Sequence, residues 1–100
     1  MKRIQSKRLA VVGHLRPDSR EAAAEILAEG PPYAISLSGL SRHSVFLGER
    51  EVVFVFEGRG VEQILRLLVN DLAISSAFSR WGPLLEKTPT LCQEEFYWEK

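Results

Sequence analysis

Apolar residues recur along the chain with the spacing of short strands. Residues 8–15 (RLAVVGHL) are rich in β-branched and other apolar side chains, as in a buried strand. Arg42–Leu47 and Glu51–Glu57 show the same enrichment on either side of the turn Gly48-Glu49-Arg50, which predicts a β-hairpin. Alternation resumes over Thr90–Trp98. The pattern therefore predicts four strands.

Two helices separate these strands. The first begins after Pro17, with Asp18 as the N-cap and Glu21 at capping-box spacing, and ends at Gly30-Pro31-Pro32. A second, strongly amphipathic helix is predicted from residue 61, followed by a helical piece that ends at Gly82-Pro83. Residues 33–40 are ambiguous between strand and loop, and their proline and glycine neighbours favour a loop. The apolar positions of the helices are Ala22, Ala23, Ile26, Leu27, Val61, Ile64, Leu65, Leu68, Ile74, Ala77, Phe78 and Trp81.

The resulting order βαββαβ predicts a ferredoxin-like α+β sandwich, in which four antiparallel strands carry two helices on one face. We expect residues 1–7 to form a flexible tail and residues 8–100 a single domain. Alternation in Glu51–Glu57 directs apolar side chains to both faces of the sheet, although the helices cover only one. A second copy is the simplest cover for the other face, which predicts a homodimer that encloses a barrel with ligand space.

The composition limits the kinds of partner that this protein is expected to bind. The 100 residues include 45% hydrophobic residues, and 13 Lys and Arg balance 13 Asp and Glu, so the basic surface of a nucleic-acid or anionic-membrane binder is not indicated. The same element order builds RNA-recognition domains, but Glu51–Glu57 has no glycines and has acidic flanks. The single cysteine, Cys92, cannot form an internal disulfide, and the apolar run at Leu9–Val12 is too short for a signal peptide. We expect a cytoplasmic protein.

From the hairpin onward, the chain resembles the dimeric α+β barrel superfamily, and within it the L-rhamnose mutarotases. The resemblance rests on the segments HSVFL (43–47) and VVFVF (52–56), the helix with Trp81, the Thr88-Pro89 connector and EEFYW (94–98). The RHSV-aromatic-L and VVFVFEG segments are also similar to a group of uncharacterised small bacterial proteins. Residues 19–30 depart from the mutarotases, whose first helix carries a catalytic His and a Trp-rich stretch. The superfamily also includes monooxygenases, haem-degrading enzymes and polyketide cyclases, which implies a shared cavity but no particular reaction.

Few side chains in this sequence suit acid–base chemistry. His14 and His43 are candidate catalytic residues because their ordinary pKa is near neutrality, and a carboxylate such as Glu57 or Glu94 could orient His14. A hydrogen-bonded edge or interface histidine is the alternative for each. Arg42, adjacent to His43 in a strand, should point to the opposite face. Glu57 and Arg59 are candidate ligand-binding residues at the barrel mouth, or else a surface pair.

Aromatic residues could line a pocket for a planar or sugar-ring ligand. The candidates are Trp81, Tyr97, Phe54 and Phe56, although aromatic residues at this spacing commonly belong to a core. Two histidines without a third ligand do not indicate a metal site, and Gly58-Arg59-Gly60 lacks the third glycine of a dinucleotide-binding loop. We therefore expect neither a metal nor a cofactor.

Two functions remain open. The first is a small-molecule-binding protein of the barrel type, acting without a cofactor as an epimerase or mutarotase, a cyclase or a monooxygenase. The second is a non-enzymatic dimeric interaction or ligand-sensing domain, in which the sheet serves only to dimerise.

Overall fold

A computed structural model describes residues 7–30, 40–61 and 79–100. The predicted tail up to residue 6, nearly all of the predicted loop 33–40 and most of the second helical region lie outside these residues. The elements in chain order are β1 (Lys7–His14), α1 (Arg20–Ala28), β2 (Arg42–Leu47), β3 (Glu51–Gly58), a 3₁₀ helix (Ser79–Leu84) and β4 (Thr90–Gln93).

The four strands form one antiparallel sheet in the order β2-β3-β1-β4. β1 and β3 occupy the centre and pair over their full length, from Lys7 opposite Gly58 to His14 opposite Glu51. The predicted hairpin is confirmed, since β2 and β3 pair directly and the Gly48 N–H donates to the Glu51 carbonyl at 2.8 Å. This strand order, with the first and third strands central, is that of the ferredoxin-like fold.

One face of the sheet is buried beneath α1 and the 3₁₀ helix. On β3 this face carries Val52, Phe54 and Phe56, which are at most 7% exposed. Trp81 lies edge-on to Phe54 with the ring centroids 5.1 Å apart. Each large apolar side chain buried in this way contributes roughly 1.5–3 kcal/mol to stability. Among the residues that the structure describes, the buried core comprises Leu9, Leu15, Ala23, Val52, Phe54, Phe56, Val61, Trp81 and Leu85.

The start of α1 differs from the prediction. Asp18 is not the N-cap: its φ is +64°, in the left-handed region that Asp tolerates in turns. The Ser19 N–H donates to the Arg16 carbonyl at 3.2 Å, so Pro17 and Asp18 form a turn before the helix. Ser19 is the N-cap, and it makes no side-chain cap hydrogen bond. The capping box predicted with Glu21 is therefore wrong.

The 3₁₀ helix and the last strand also end at other residues than the sequence pattern predicts. Gly82-Pro83 does not end the helical segment, because the Leu85 N–H donates to the Gly82 carbonyl at 3.1 Å and the 3₁₀ turn continues around Pro83. The last strand stops at Gln93 rather than Trp98. Its partner is β1, and Gln93 already lies opposite Leu9, two residues from the start of β1. Beyond this point the chain has almost no strand left to pair with.

Candidate functional site

The face of the sheet opposite α1, here called the open face, is organised in rows that cross the four strands. Strand register places Arg42, Glu57 and Arg8 side by side, and the Arg8–Glu94 ion pair extends this line past β4. We call these four residues the charged row. The next two rows are largely apolar, and their members in strand order are Ser44, Val55, Ala10 and Cys92, then Phe46, Val53, Val12 and Thr90.

A cavity of about 500 Å³ occupies the open face between the charged row and the apolar rows. Its apolar wall includes Ala10, Phe46 and Val55, and Ser44 supplies a hydroxyl. Phe46 is 61% exposed, so the cavity is open to solvent on the β2 side. An apolar floor with a few polar groups at one end is the composition typical of small-molecule sites.

The two arginines of the charged row differ in their partners. Arg8 Nε lies 2.5 Å from the Glu94 carboxylate, and the Arg8 guanidinium lies 4.3 Å from the centre of the Tyr97 ring. Arg42 has Glu57 as its cross-strand neighbour, but it forms no ion pair within the part of the chain that the structure describes. The Arg42 guanidinium is therefore available to an anionic group in the cavity.

His14 lies on the open face, at the end farthest from the charged row. Its cross-strand partner is Glu51, so the expected orientation by Glu57 or Glu94 is wrong. Those carboxylates belong with Arg8, six residues away along β1, which corresponds to about 20 Å in a strand. His14 is half-buried and does not line the cavity. Its catalytic role stays a prediction.

His43 faces the buried side of the sheet. Its ring stacks on Phe56 at a centroid distance of 4.6 Å, and Nδ1 donates to the Val55 carbonyl at 3.0 Å. Burial lowers the pKa of His43, and the hydrogen bond to Val55 opposes this shift only in part. His43 is accordingly a neutral imidazole near pH 7. The two histidines lie on opposite faces and do not form one site.

The aromatic candidates also lie in different places, some in the core and one near the cavity. Phe54, Phe56 and Trp81 belong to the core beneath α1, and none of them lines the cavity. Tyr97 lies at the cavity rim over Arg8. Of the charged candidates, Glu57 lines the cavity, whereas Arg59 is exposed in the turn after β3.

Arg42, Ser44 and Phe46 line the cavity, although the sequence singled out none of them as a site residue. The signal was present, because alternation in β2 places all three on the face opposite His43. The sequence alone does not show the strand register, which aligns β2 with Glu57 and Arg8.

Within residues 7–30, 40–61 and 79–100, no three His, Cys, Asp or Glu side chains cluster as metal ligands would. In the same part of the chain, no helix has the length and apolar character needed to cross a membrane.

Comparisons with known proteins give the fold but no family. No family model matches the chain, and no curated protein matches it either. A Nitrosomonas europaea protein of unknown function, NE2512, has a similar structure with a TM-score of 0.71 at 19% identity, over 99% of this chain and 96% of that one. Rv0793 from Mycobacterium tuberculosis gives 0.67 at 17% identity, over 95% and 98% of the two chains.

A provisionally named antibiotic biosynthesis monooxygenase from Chloroflexus aurantiacus gives a TM-score of 0.63 at 16% identity, over 95% of this chain and 98% of that one. The ferredoxin-like α+β fold is therefore confirmed. The resemblance to L-rhamnose mutarotases is not confirmed.

Proposed function

We propose that the open face binds a small molecule with an apolar body and an anionic group. The cavity of about 500 Å³ between the charged row and the apolar rows is the observation that supports this function. Its volume lies within the range of ligand pockets, roughly 300–1,000 Å³. An amphipathic ligand matches the division of the lining into a charged end and an apolar wall.

Arg42 is the anchor for the anionic group. A guanidinium presents a planar fork of N–H donors that matches a carboxylate, and Arg42 has no competing ion pair among the described residues. The Ser44 side chain lies on the same face of β2, two residues along, where it can donate to the same anion. Arg8 is a weaker candidate because Glu94 already holds it.

The apolar body would lie against Ala10, Val55 and Phe46. Because these residues are partly or largely exposed, a ligand that covers them removes apolar surface from water, at about 25 cal/mol per Å². A planar ring suits this wall, since the side chains of a sheet form a nearly flat surface.

A second copy covering the open face is part of the same proposal. The apolar rows cross all four strands, and the helices that the structure describes cover the other face. Two such faces apposed by a two-fold axis would each bury the other, as in the dimeric α+β barrels that the sequence from the hairpin onward resembles.

The test compares two naphthalene probes of nearly equal shape, 2-naphthoate and uncharged 2-naphthamide, in thermal-shift and fluorescence titrations. We expect naphthoate to raise Tm by mass action and to bind more tightly than the amide. Arg42→Ala should weaken naphthoate binding about tenfold or more, as expected for a hydrogen-bonded charge pair worth about 1.5 kcal/mol or more. Arg16→Ala, an exposed arginine outside the cavity, is the matched control.

Equal binding of both probes by wild type, or an Arg42→Ala variant as tight as wild type, would refute the anion site. Absence of binding by a folded dimer would favour the non-enzymatic interaction domain.

A further inference from the structure

The last seven residues, 94–100, form a segment here called the C-terminal arm. It begins where β4 ends, and its first residue, Glu94, belongs to the charged row. Three consecutive aromatic residues follow, and all are more than half exposed: Phe96 at 82%, Tyr97 at 53% and Trp98 at 70%. Aromatic side chains are rarely left uncovered in such a group, because each can bury 150–250 Å² or so.

The start of the arm is fixed against its own sheet. Arg8 pairs with Glu94 at 2.5 Å and covers the Tyr97 ring at 4.3 Å, so these contacts hold the arm at the rim of the cavity. Phe96 and Trp98 flank Tyr97 but remain the more exposed residues of the three. The arm therefore presents two large apolar side chains beside the cavity and outside its own core.

A second copy of the chain could cover both the exposed aromatic residues of the arm and the open face. The arm offers exposed aromatic side chains beside β4, and the open face offers half-buried apolar rows that end at the exposed Phe46 on β2. The arm is acidic, with Glu94, Glu95 and Glu99 against Lys100, whereas Arg42 at the rim of the open face lacks an ion pair among the described residues. Opposite charges would orient the encounter. Around a two-fold axis, each contact would form twice.

We propose that the C-terminal arm of each copy crosses onto the open face of the other, and that Phe96 and Trp98 complete the wall of the partner's ligand cavity. This inference rests on the proposed binding function of that cavity. It adds that neither copy holds a complete site alone.

The first part of the test is the mass of the protein in solution, measured by sedimentation over a concentration series. We expect a dimer for wild type and a dissociation constant at least tenfold higher for the double variant Phe96→Ser/Trp98→Ser. The matched control, Leu91→Ser, removes an exposed apolar side chain from the opposite face of β4 and should leave the constant unchanged. A wild-type monomer, or a double variant that dimerises as well as wild type, would overturn the inference.

The second part asks whether the arm acts on its own copy or on its partner. A copy with Arg42→Ala retains its arm, and a copy with Phe96→Ser/Trp98→Ser retains its Arg42. In a heterodimer purified through two different tags, crossing arms leave one intact site out of two, so naphthoate should bind at about half the wild-type stoichiometry with wild-type affinity. A purified heterodimer without a wild-type site would overturn the crossing.

The two proposals fail in different ways. If wild type does not bind naphthoate, the anion site is wrong, while the sedimentation series still decides whether the arm joins two copies. If wild type binds naphthoate and the arm variant binds it equally well, the cavity is real and the arm plays no part in it.

Discussion

Val52 and Val53 are adjacent in β3 yet face opposite sides of the sheet, so the same substitution should have different costs at the two positions. Val→Thr exchanges a methyl for a hydroxyl with little change in volume or in strand preference. Val52 is 0% exposed and lies between Gly13 and Leu47 on the neighbouring strands. Val53 is half-buried and lies on the open face.

At Val52 the loss combines two contributions. Removing one buried methyl costs about 0.8 kcal/mol, and burying a hydroxyl among apolar side chains costs about 1–3 kcal/mol. We therefore expect Val52→Thr to lower the free energy of unfolding by about 2–4 kcal/mol, and Tm by about 10 °C or more for a domain of this size. At low concentration, Val53→Thr should cost less than about 1 kcal/mol, because water can reach its hydroxyl.

Urea unfolding at several protein concentrations measures both variants. The cost of Val52→Thr should not depend on concentration, whereas that of Val53→Thr should rise with concentration if a second copy covers the open face. A Val52→Thr protein within 1 kcal/mol of wild type would refute the placement of Val52 in the core.

Three further outcomes follow from the same geometry. Gly13→Ala should cost about 1–3 kcal/mol, because the new Cβ would lie 2.9 Å from Leu85 Cδ2 and 3.1 Å from Val52 Cγ1, whereas Gly82→Ala meets nothing within 4 Å and should leave Tm nearly unchanged. Burial lowers the pKa of His43 below the unfolded value of 6.5, so the unfolded chain binds more protons than the folded one. The free energy of unfolding should therefore fall as pH drops below about 6.5, by at most about 1.4 kcal/mol per pH unit. Urea titrations should show a shallower fall in His43→Gln, and equal pH slopes in the two proteins would contradict the burial of His43. Glu57→Gln should raise the affinity for naphthoate severalfold in fluorescence titrations by removing a like charge from the cavity, and an unchanged affinity would place the anion elsewhere.

The sequence predicted the strands well where apolar alternation was strong and less well where local chemistry was ambiguous. The hairpin of β2 and β3 and its turn were predicted correctly, because β-branched and aromatic residues cluster there. The end of β4 was predicted wrongly, because a strand extends only as far as its partner, and the extent of β1 cannot be inferred from residues 90–98. The helix start was misplaced by one residue because Asp suits both an N-cap and a left-handed turn.

The candidate site was harder to predict for a different reason. Alternation showed that Arg42 and His43 face opposite sides, but not which side is covered by α1. That choice depends on long-range packing, and it places His43 towards the core and Arg42 at the cavity. Once register aligned Arg42 with Glu57 and Arg8, the polar end of the site became visible. The sequence therefore predicts the sheet, but not the charged row that crosses its strands.

The separation between the charged row and His14 constrains what the site can do. The two ends of the open face are about 20 Å apart along β1, whereas a compact cavity of about 500 Å³ is roughly 10 Å across. One small ligand held by Arg42 cannot also contact His14 of the same copy. Acid–base chemistry on that ligand would have to use Glu57, Glu94 or Cys92, which line the cavity, or a group of the second copy. His14→Gln should therefore leave naphthoate affinity unchanged in titrations, and a loss of binding would mean that the ligand lies along the sheet rather than at its charged end.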